Sequence, residues 1–276
     1  MEEKHLSIEN LRRLNELYKL NSKIFLVGLK AYRKFPNGEY DETKFCFLNY
    51  LERFTFNLES VNILLEQYKY KPTIEHSIGI LIRSSLLDFL VIQYLLSYAL
   101  ENDPIFIKKR DALLCDHLHN TFKYLKLIKN EGTSEQEYVE YINHLFTDYR
   151  FLFNEDPLDY NDPSKNLIED KLDSTTYMYN RVKSSKFTCR FAKVYDLYLY
   201  YSKYDHFGLL SHHFQKRGED PNFTNMIWGI HFMILGLEIS LVNLSETGEV
   251  DNEVNEIRKY RAEFESYIPP ETMENS

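Results

Sequence analysis

Two long apolar segments carry ionisable side chains where a plain core helix would carry none. These side chains are Arg83 and Asp88 in Ile78–Leu100, and His231 and Glu238 in Met226–Leu244. A charge that leaves water costs several kcal/mol unless it is paired or its pKa shifts. The sequence therefore predicts a buried polar cluster, with acid, base and guanidinium groups, at the centre of a helical protein.

The spacing of these groups limits how they can pair. His231 and Glu238 are seven residues apart on one helical face, about 10 Å along the axis, so they cannot touch each other. We expect Glu238 to meet Arg83 or His206 across a helix interface, and His231 to meet Asp88 or a tyrosine hydroxyl. Such pairs would stabilise one particular packing of the helices.

The densest collection of reactive side chains is the stretch Tyr200–Gly208. If this stretch is helical as far as His206, Ser202 and His206 lie one turn apart, and a Ser–His pair is half of a nucleophilic site. A mid-helix serine cannot form an oxyanion hole with its own backbone amides, so the alternative is a histidine that tethers its helix to the apolar pair. His206 and His213 are too far apart on a continuous helix to share an ion, and no metal is expected.

The same residues carry a resemblance. An apolar helix that contains Arg83 and ends in Asp88, followed by Tyr198, Ser202 and His206 at four-residue steps, resembles a bacterial all-helical family of unknown function. Arg83 and Asp88 are five residues apart, whereas the family pattern has a one-turn spacing. No established activity comes with this resemblance.

A second resemblance concerns activity. The sequence from Arg110 through Asp111 to His117 resembles the Arg-polar-His motif of HEPN-type ribonucleases at its longest spacing. The resemblance implies metal-independent RNA cleavage, in which His117 activates a ribose 2′-hydroxyl and Arg110 stabilises charge on the phosphate. Arg110 and His117 share a helical face, but Leu113 and Leu114 accompany them, so burial of that face against the bundle is the alternative.

Long apolar runs with only nine Gly and eight Pro predict an all-α fold, a bundle of long helices around the two apolar segments. Start and stop signals place helices at about 7–35, 41–70, 73–102, 103–130, 134–153, 188–203, 222–244 and 252–267. We expect one helical domain over 1–276, with an irregular insertion at about 154–187 that includes a short helix near Leu167–Leu172, and a polar C-terminal helix and tail from about 250.

The charge balance bears on partners. A net charge of −9 argues against wholesale coating of nucleic acid, although the basic stretch Lys108–Lys129 offers a local surface for RNA. A solvated helix face is the alternative interpretation of that stretch.

The cysteines and the charges within the apolar segments indicate the cellular compartment. Three widely spaced cysteines fit neither a disulfide framework nor a zinc site, and they favour a reducing cytoplasm. Arg83 and Asp88 would each add about 2.5–3.5 kcal/mol to membrane insertion, so both apolar segments are expected inside the bundle and no membrane partner is expected.

Three functions remain open on the sequence. The first is an RNA-directed, metal-independent nuclease of a bacterial defence or toxin type, without a cofactor and with a homodimer as a possible assembly. The second is a non-catalytic helical interaction or scaffold module. The third is a helical bundle that binds a small ligand near Arg83 and His206.

Overall fold

The fold is known from a computed structural model, which describes residues 7–35, 40–71, 74–99, 105–132, 134–169, 172–185, 191–202, 219–245 and 248–268. These residues form nine α-helices and, apart from an isolated bridge between Phe153 and Leu167, no β-structure. The predicted all-α fold is confirmed.

The helices follow the order of the sequence-based expectations, with one addition. They are α1 (Ile8–Tyr32), α2 (Glu42–Tyr68), α3 (Glu75–Ala99), α4 (Ile105–Asn130), α5 (Glu135–Asp148), α6 (Thr175–Ser184), α7 (Phe191–Ser202), α8 (Glu219–Leu244) and α9 (Asp251–Glu265). Short 3₁₀ turns cover Arg150–Leu152 and Pro163–Asn166.

Polar caps begin three of these helices at the residues that the sequence indicates. The Ser7 hydroxyl accepts from the Asn10 amide, and the Asp41 carboxylate accepts from two amides of the first turn of α2. Ser134 and Glu137 form a complete capping box at the start of α5. These predicted helix starts are confirmed.

Helix α6 lies in the region that the sequence predicts to be irregular. The Ser174 hydroxyl accepts from the Tyr177 amide, and the Ser174 carbonyl accepts from the Met178 amide, so Ser174 caps this helix. The described residues of Leu167–Leu172 are not helical. The short helix was therefore expected too early in the chain, and the irregular part is shorter than predicted.

The chain divides into two compact units by the density of its internal contacts. Unit 1 comprises residues 1–93 and 182–276, and unit 2 comprises residues 94–181. One boundary falls near the end of α3 and the other falls inside α6. The assignment of the whole chain to one domain stays a prediction.

In unit 1, α8 and most of α3 are buried on nearly every side. Two glycines let other helices approach α8 closely. A Cβ at Gly236 would lie 2.3 Å from the Phe54 ring of α2, and a Cβ at Gly229 would lie 2.4 Å from the Ile82 side chain of α3. The apolar segments therefore pack as core helices, as their composition indicates.

In unit 2, the packing between α4 and α5 extends into the chain that follows α5. The Phe153 ring makes edge contacts with Phe122 of α4 and Phe146 of α5. The Asn166 side chain donates to the carbonyl of Pro157, 3.1 Å away, which shapes the intervening loop. This irregular segment is therefore fastened to the helices by rings and backbone hydrogen bonds.

Two helices are long and apolar enough to cross a membrane, by length and composition only. They are Glu75–Ala99 and Asn222–Leu244, and about three quarters of the most apolar window in each is buried inside the structure. The same length and composition occur in the core helices of helical bundles. The expectation that no membrane is involved stays a prediction.

Candidate functional site

Three of the four ionisable groups on the apolar helices lie in the interior. Asp88, His231 and Glu238 are buried, and Arg83 is half-buried. Removing these charged groups from water costs free energy, which partners of opposite charge must offset. For Asp88 and Glu238, these partners are arginines of the neighbouring helices α2 and α9.

Glu238 is held by two arginines of α9. Arg258 Nε lies 3.1 Å from one carboxylate oxygen and Arg261 Nε lies 2.6 Å from the other. The expected pairing of Glu238 with Arg83 is therefore wrong, and His206 lies outside the described residues. The physical reason is that α9, which is polar along its sequence, turns its arginines towards α8.

Asp88 is held in a similar way by a flanking helix. Arg53 of α2 donates from Nε and Nη2 to the two oxygens of Asp88, both at 2.9 Å. This is the bidentate geometry that a guanidinium offers a carboxylate. Asp88 is therefore compensated by Arg53 of α2, a partner that was not predicted from the sequence, where Asp88 or a tyrosine hydroxyl was the expected partner of His231.

His231 is surrounded by rings. Its imidazole lies nearly parallel to the Phe264 ring at 6.4 Å between centroids and meets Trp228 edge-on at 5.8 Å. Its Nε2 atom lies 4.0 Å from a carboxylate oxygen of Glu265, which in turn accepts from Arg261. His231 therefore faces the same α9 network that holds Glu238.

The residues of the first resemblance come partly together. The Arg83 guanidinium lies over the Tyr198 ring of α7, 5.6 Å from its centroid, which is a cation–π geometry. The Ser202 hydroxyl donates to the Leu199 carbonyl of its own helix at 2.7 Å. Because His206 lies outside the described residues, the predicted Ser–His pair stays a prediction.

The residues of the HEPN-like motif differ in exposure. Arg110 is 7% exposed, and its Nε and Nη2 atoms both donate to Asp111, at 2.9 and 2.7 Å. His117 is exposed. From the sequence, burial against the bundle was the alternative for this helical face. The beginning of the face is indeed buried, since every residue from 110 to 115 is buried. His117 is therefore open to solvent, whereas the Arg110 charge is neutralised by Asp111 inside the protein.

Helix α4 also carries an exposed basic surface, called here the α4 surface. It consists of His117, Asn120, Lys123, Tyr124, Lys126 and Leu127. The other lysines of α4 have acidic neighbours: Lys109 pairs with Asp173 at 2.6 Å, Lys129 with Glu135 at 2.6 Å, and Lys108 lies 3.7 Å from Glu169. Within the described part of the chain, no acidic side chain pairs with Lys123 or Lys126.

Sequence reasoning missed a polar cluster in unit 2. Asp173 accepts hydrogen bonds from the Tyr94 hydroxyl and from Lys109 Nζ on the same oxygen. Arg181 lies over the Tyr98 ring at 4.3 Å and donates to Ser97. The sequence offers no short spacing as a signal, because Tyr94 and Asp173 are 79 residues apart.

The local environment sets the protonation of this cluster. Partial burial of Asp173 raises its pKa, but hydrogen bonds from Lys109 and Tyr94 outweigh burial and hold that pKa below its usual range. Burial and the bond to Asp173 raise the pKa of Tyr94, which stays a proton donor at neutral pH. The polar groups of this cluster therefore bond to one another, and these bonds hold α6 and Asp173, which precedes it in the chain, against α3 and α4.

Two other chemistries find no support in the described residues. No group of three or more His, Cys, Asp or Glu side chains there could hold a metal ion. Burial raises the pKa of the Cys115 thiol to about 11, so a thiolate nucleophile at this position is disfavoured at neutral pH.

The pairing of Glu238 leads to a stability prediction. Glu238→Lys places a third cation beside Arg258 and Arg261 and should lower the free energy of unfolding by about 3–5 kcal/mol. The matched control is Glu263→Lys on the exposed side of α9, which should change stability by no more than about 0.5 kcal/mol. Urea unfolding followed by circular dichroism measures both, and equal stabilities would contradict the pairing.

Asp173 leads to a pH prediction for unit 2. Because its pKa is lower in the folded protein than in the unfolded chain, the carboxylate stabilises the fold above the unfolded value of about 3.9, and this contribution is lost as the pH falls through the folded value. Asp173→Asn should therefore destabilise the protein at pH 7, and the difference from the parent should shrink towards pH 2.

Asp148→Asn is the control for that comparison, because Asp148 is exposed at the end of α5. Thermal melts at several pH values should show little difference between Asp148→Asn and the parent. A destabilisation by Asp173→Asn that is the same at pH 7 and pH 2 would show that the Asp173 hydrogen bonds do not depend on its charge.

Comparison with known proteins gives no relative from which a function could be transferred. No family model matches the chain, no curated protein is similar to it, and no solved structure matches its fold.

Proposed function

We propose that this protein binds RNA through the α4 surface and cleaves it without a metal ion, with His117 as the acid–base group. The observation that carries the proposal is the charge of α4. This helix has six basic and two acidic side chains in a chain whose net charge is −9. Lys123 and Lys126 stand on its exposed side without an acidic partner among the described residues.

An unpaired lysine on a convex helix attracts phosphate groups. Neutralising a phosphate releases condensed counterions, so binding of this kind is stronger at low salt. Acidic groups elsewhere on the chain repel the RNA backbone and favour contact at α4. The site therefore has the electrostatics of local rather than wholesale nucleic-acid binding.

The proposed cleavage needs one accessible imidazole. A nitrogen of His117 takes the proton of a ribose 2′-hydroxyl, and the 2′-oxygen attacks the adjacent phosphorus. The bond from phosphorus to the 5′-oxygen breaks, and that oxygen takes a proton from water. The hydroxide left behind takes the proton that His117 holds, which restores the neutral imidazole. The products are a 2′,3′-cyclic phosphate and a 5′-hydroxyl end. Lys123 and Lys126 lie on other sides of α4 from His117, so in this scheme they draw RNA to the helix and do not contact the reacting phosphate.

The contact between Arg110 and Asp111 supports a structural role for both residues in this proposal. The HEPN-like resemblance implies that Arg110 stabilises charge on the phosphate, but its guanidinium is bonded to Asp111 in the interior. We therefore assign Arg110 and Asp111 to the stability of α4. A homodimer and a role in bacterial defence belong to the proposal as its expected setting.

The ligand-binding alternative has less support. A cavity of about 400 Å³ lies between α1 and α2, among Arg12, Lys19, Lys69 and their neighbours. Neither Arg83 nor Tyr198 lines it. The cavity is therefore separate from Arg83, and His206 lies outside the described residues.

The test is incubation of the purified protein with total RNA in the presence of a chelator. Cleavage should persist with chelator, disappear in His117→Ala and remain in His144→Ala, which removes an exposed histidine of α5. The ends of the fragments should carry 2′,3′-cyclic phosphates. Equal cleavage by His117→Ala and the parent, or loss of cleavage with chelator, would overturn the proposal.

A pair of variants separates catalysis from stability at Arg110. Arg110→Ala leaves the Asp111 carboxylate buried without this partner and should lower stability by about 3–5 kcal/mol. Replacing both residues by apolar ones, Arg110→Met with Asp111→Leu, should recover much of that loss and keep RNA cleavage. If the double variant is stable but does not cleave RNA, Arg110 has a catalytic role and the structural assignment is wrong.

A further inference from the structure

The α4 surface includes a large aromatic ring in solvent. Tyr124 is 61% exposed, and no hydrogen bond of its hydroxyl appears among the described residues. Tyr124 follows His117 by seven positions, so the two side chains share a face and lie about 10 Å apart along the axis. Leu127, also largely exposed, lies one turn further on. The basic surface therefore has an apolar strip that phosphate binding alone does not require.

A ring in this position suits one form of RNA. In duplex RNA the bases are stacked and paired, so a protein meets mainly phosphates and 2′-hydroxyls. In single-stranded RNA each base offers an open face, and stacking on an aromatic side chain stabilises binding with little dependence on sequence. Lys123 and Lys126 lie about 100° and about 160° around the helix from Tyr124, both in the same direction, so their charges attract an RNA strand to this exposed part of α4 without facing the stacked base themselves.

We infer that the α4 surface binds unpaired nucleotides, with Tyr124 stacking on a base while the charges of Lys123 and Lys126 attract the backbone to α4. This inference rests on the proposed function and adds its substrate class, which is single-stranded RNA. Stacking at Tyr124 also positions the strand along α4, so that a neighbouring ribose approaches His117. Tyr124 is thus a binding and positioning residue rather than a catalytic one.

Binding measurements on full-length protein test the inference. The probe is a fluorescent 12-nucleotide RNA, offered either single-stranded or annealed to its complement, and His117→Ala serves as the background so that no RNA is cut. In this background Tyr124→Ala should weaken single-strand binding about 5- to 150-fold and leave duplex binding nearly unchanged. Tyr124→Phe keeps the ring and should retain single-strand affinity.

Two further variants serve as controls. Tyr141→Ala removes an α5 ring that is 52% exposed, and it should bind both RNAs like the background protein. Lys123→Glu with Lys126→Glu should weaken binding of both RNAs and reduce the salt dependence of what remains. Circular dichroism melts check that each variant is folded.

The outcomes separate the inference from the proposed function. If the lysine variant loses binding but Tyr124→Ala binds single strands normally, the stacking inference is overturned and RNA binding at α4 stands. If the lysine variant binds like its background, both fail. If Tyr124→Ala instead changes the sedimentation of the protein and not its RNA affinity, the surface joins two copies of the chain and the inference is overturned.

Discussion

Buried carboxylates that must be neutralised from neighbouring helices are the constraint on which unit 1 depends. Asp88 is held by Arg53, and Glu238 is held by Arg258 and Arg261. Glu253 of α9 is fully buried and is held by Lys30 of α1 and by Lys34 in the turn that follows α1. Removing either side of such a pair leaves a charge without compensation, so these contacts favour one arrangement of α1, α2, α3, α8 and α9 over alternative packings.

Much of the fold could be predicted from the sequence because its signals are local. Ser7, Asp41 and Ser134 are strong helix caps, and their hydrogen bonds form within three residues. Helix α6 escaped prediction because Asp, Asn, Ser and Pro precede it and it has only ten residues. Ser174 followed by two threonines was a usable start signal, but the apolar periodicity behind it is short.

The environment of the candidate site was less predictable. The apolar helices showed that Asp88, His231 and Glu238 demand compensation, but the choice of partner depends on which helices adjoin, and that is a long-range property. Spacing along α4 places Arg110 and His117 on one face, yet spacing does not report that 110–115 is covered on all sides. Arg110 is buried and His117 is exposed, and this difference in solvent exposure is set by tertiary packing.

The position of Trp228 has a practical consequence for spectroscopy. It is the chain's one tryptophan, and it lies on α8 in unit 1, packed against His231 and Phe232. Tryptophan emission, excited selectively over that of the tyrosines, therefore reports on the surroundings of α8 in unit 1, because residues 94–181 contain no tryptophan. A fluorescence trace with a single step would say nothing about whether the segment bearing His117 and Tyr124 was still folded.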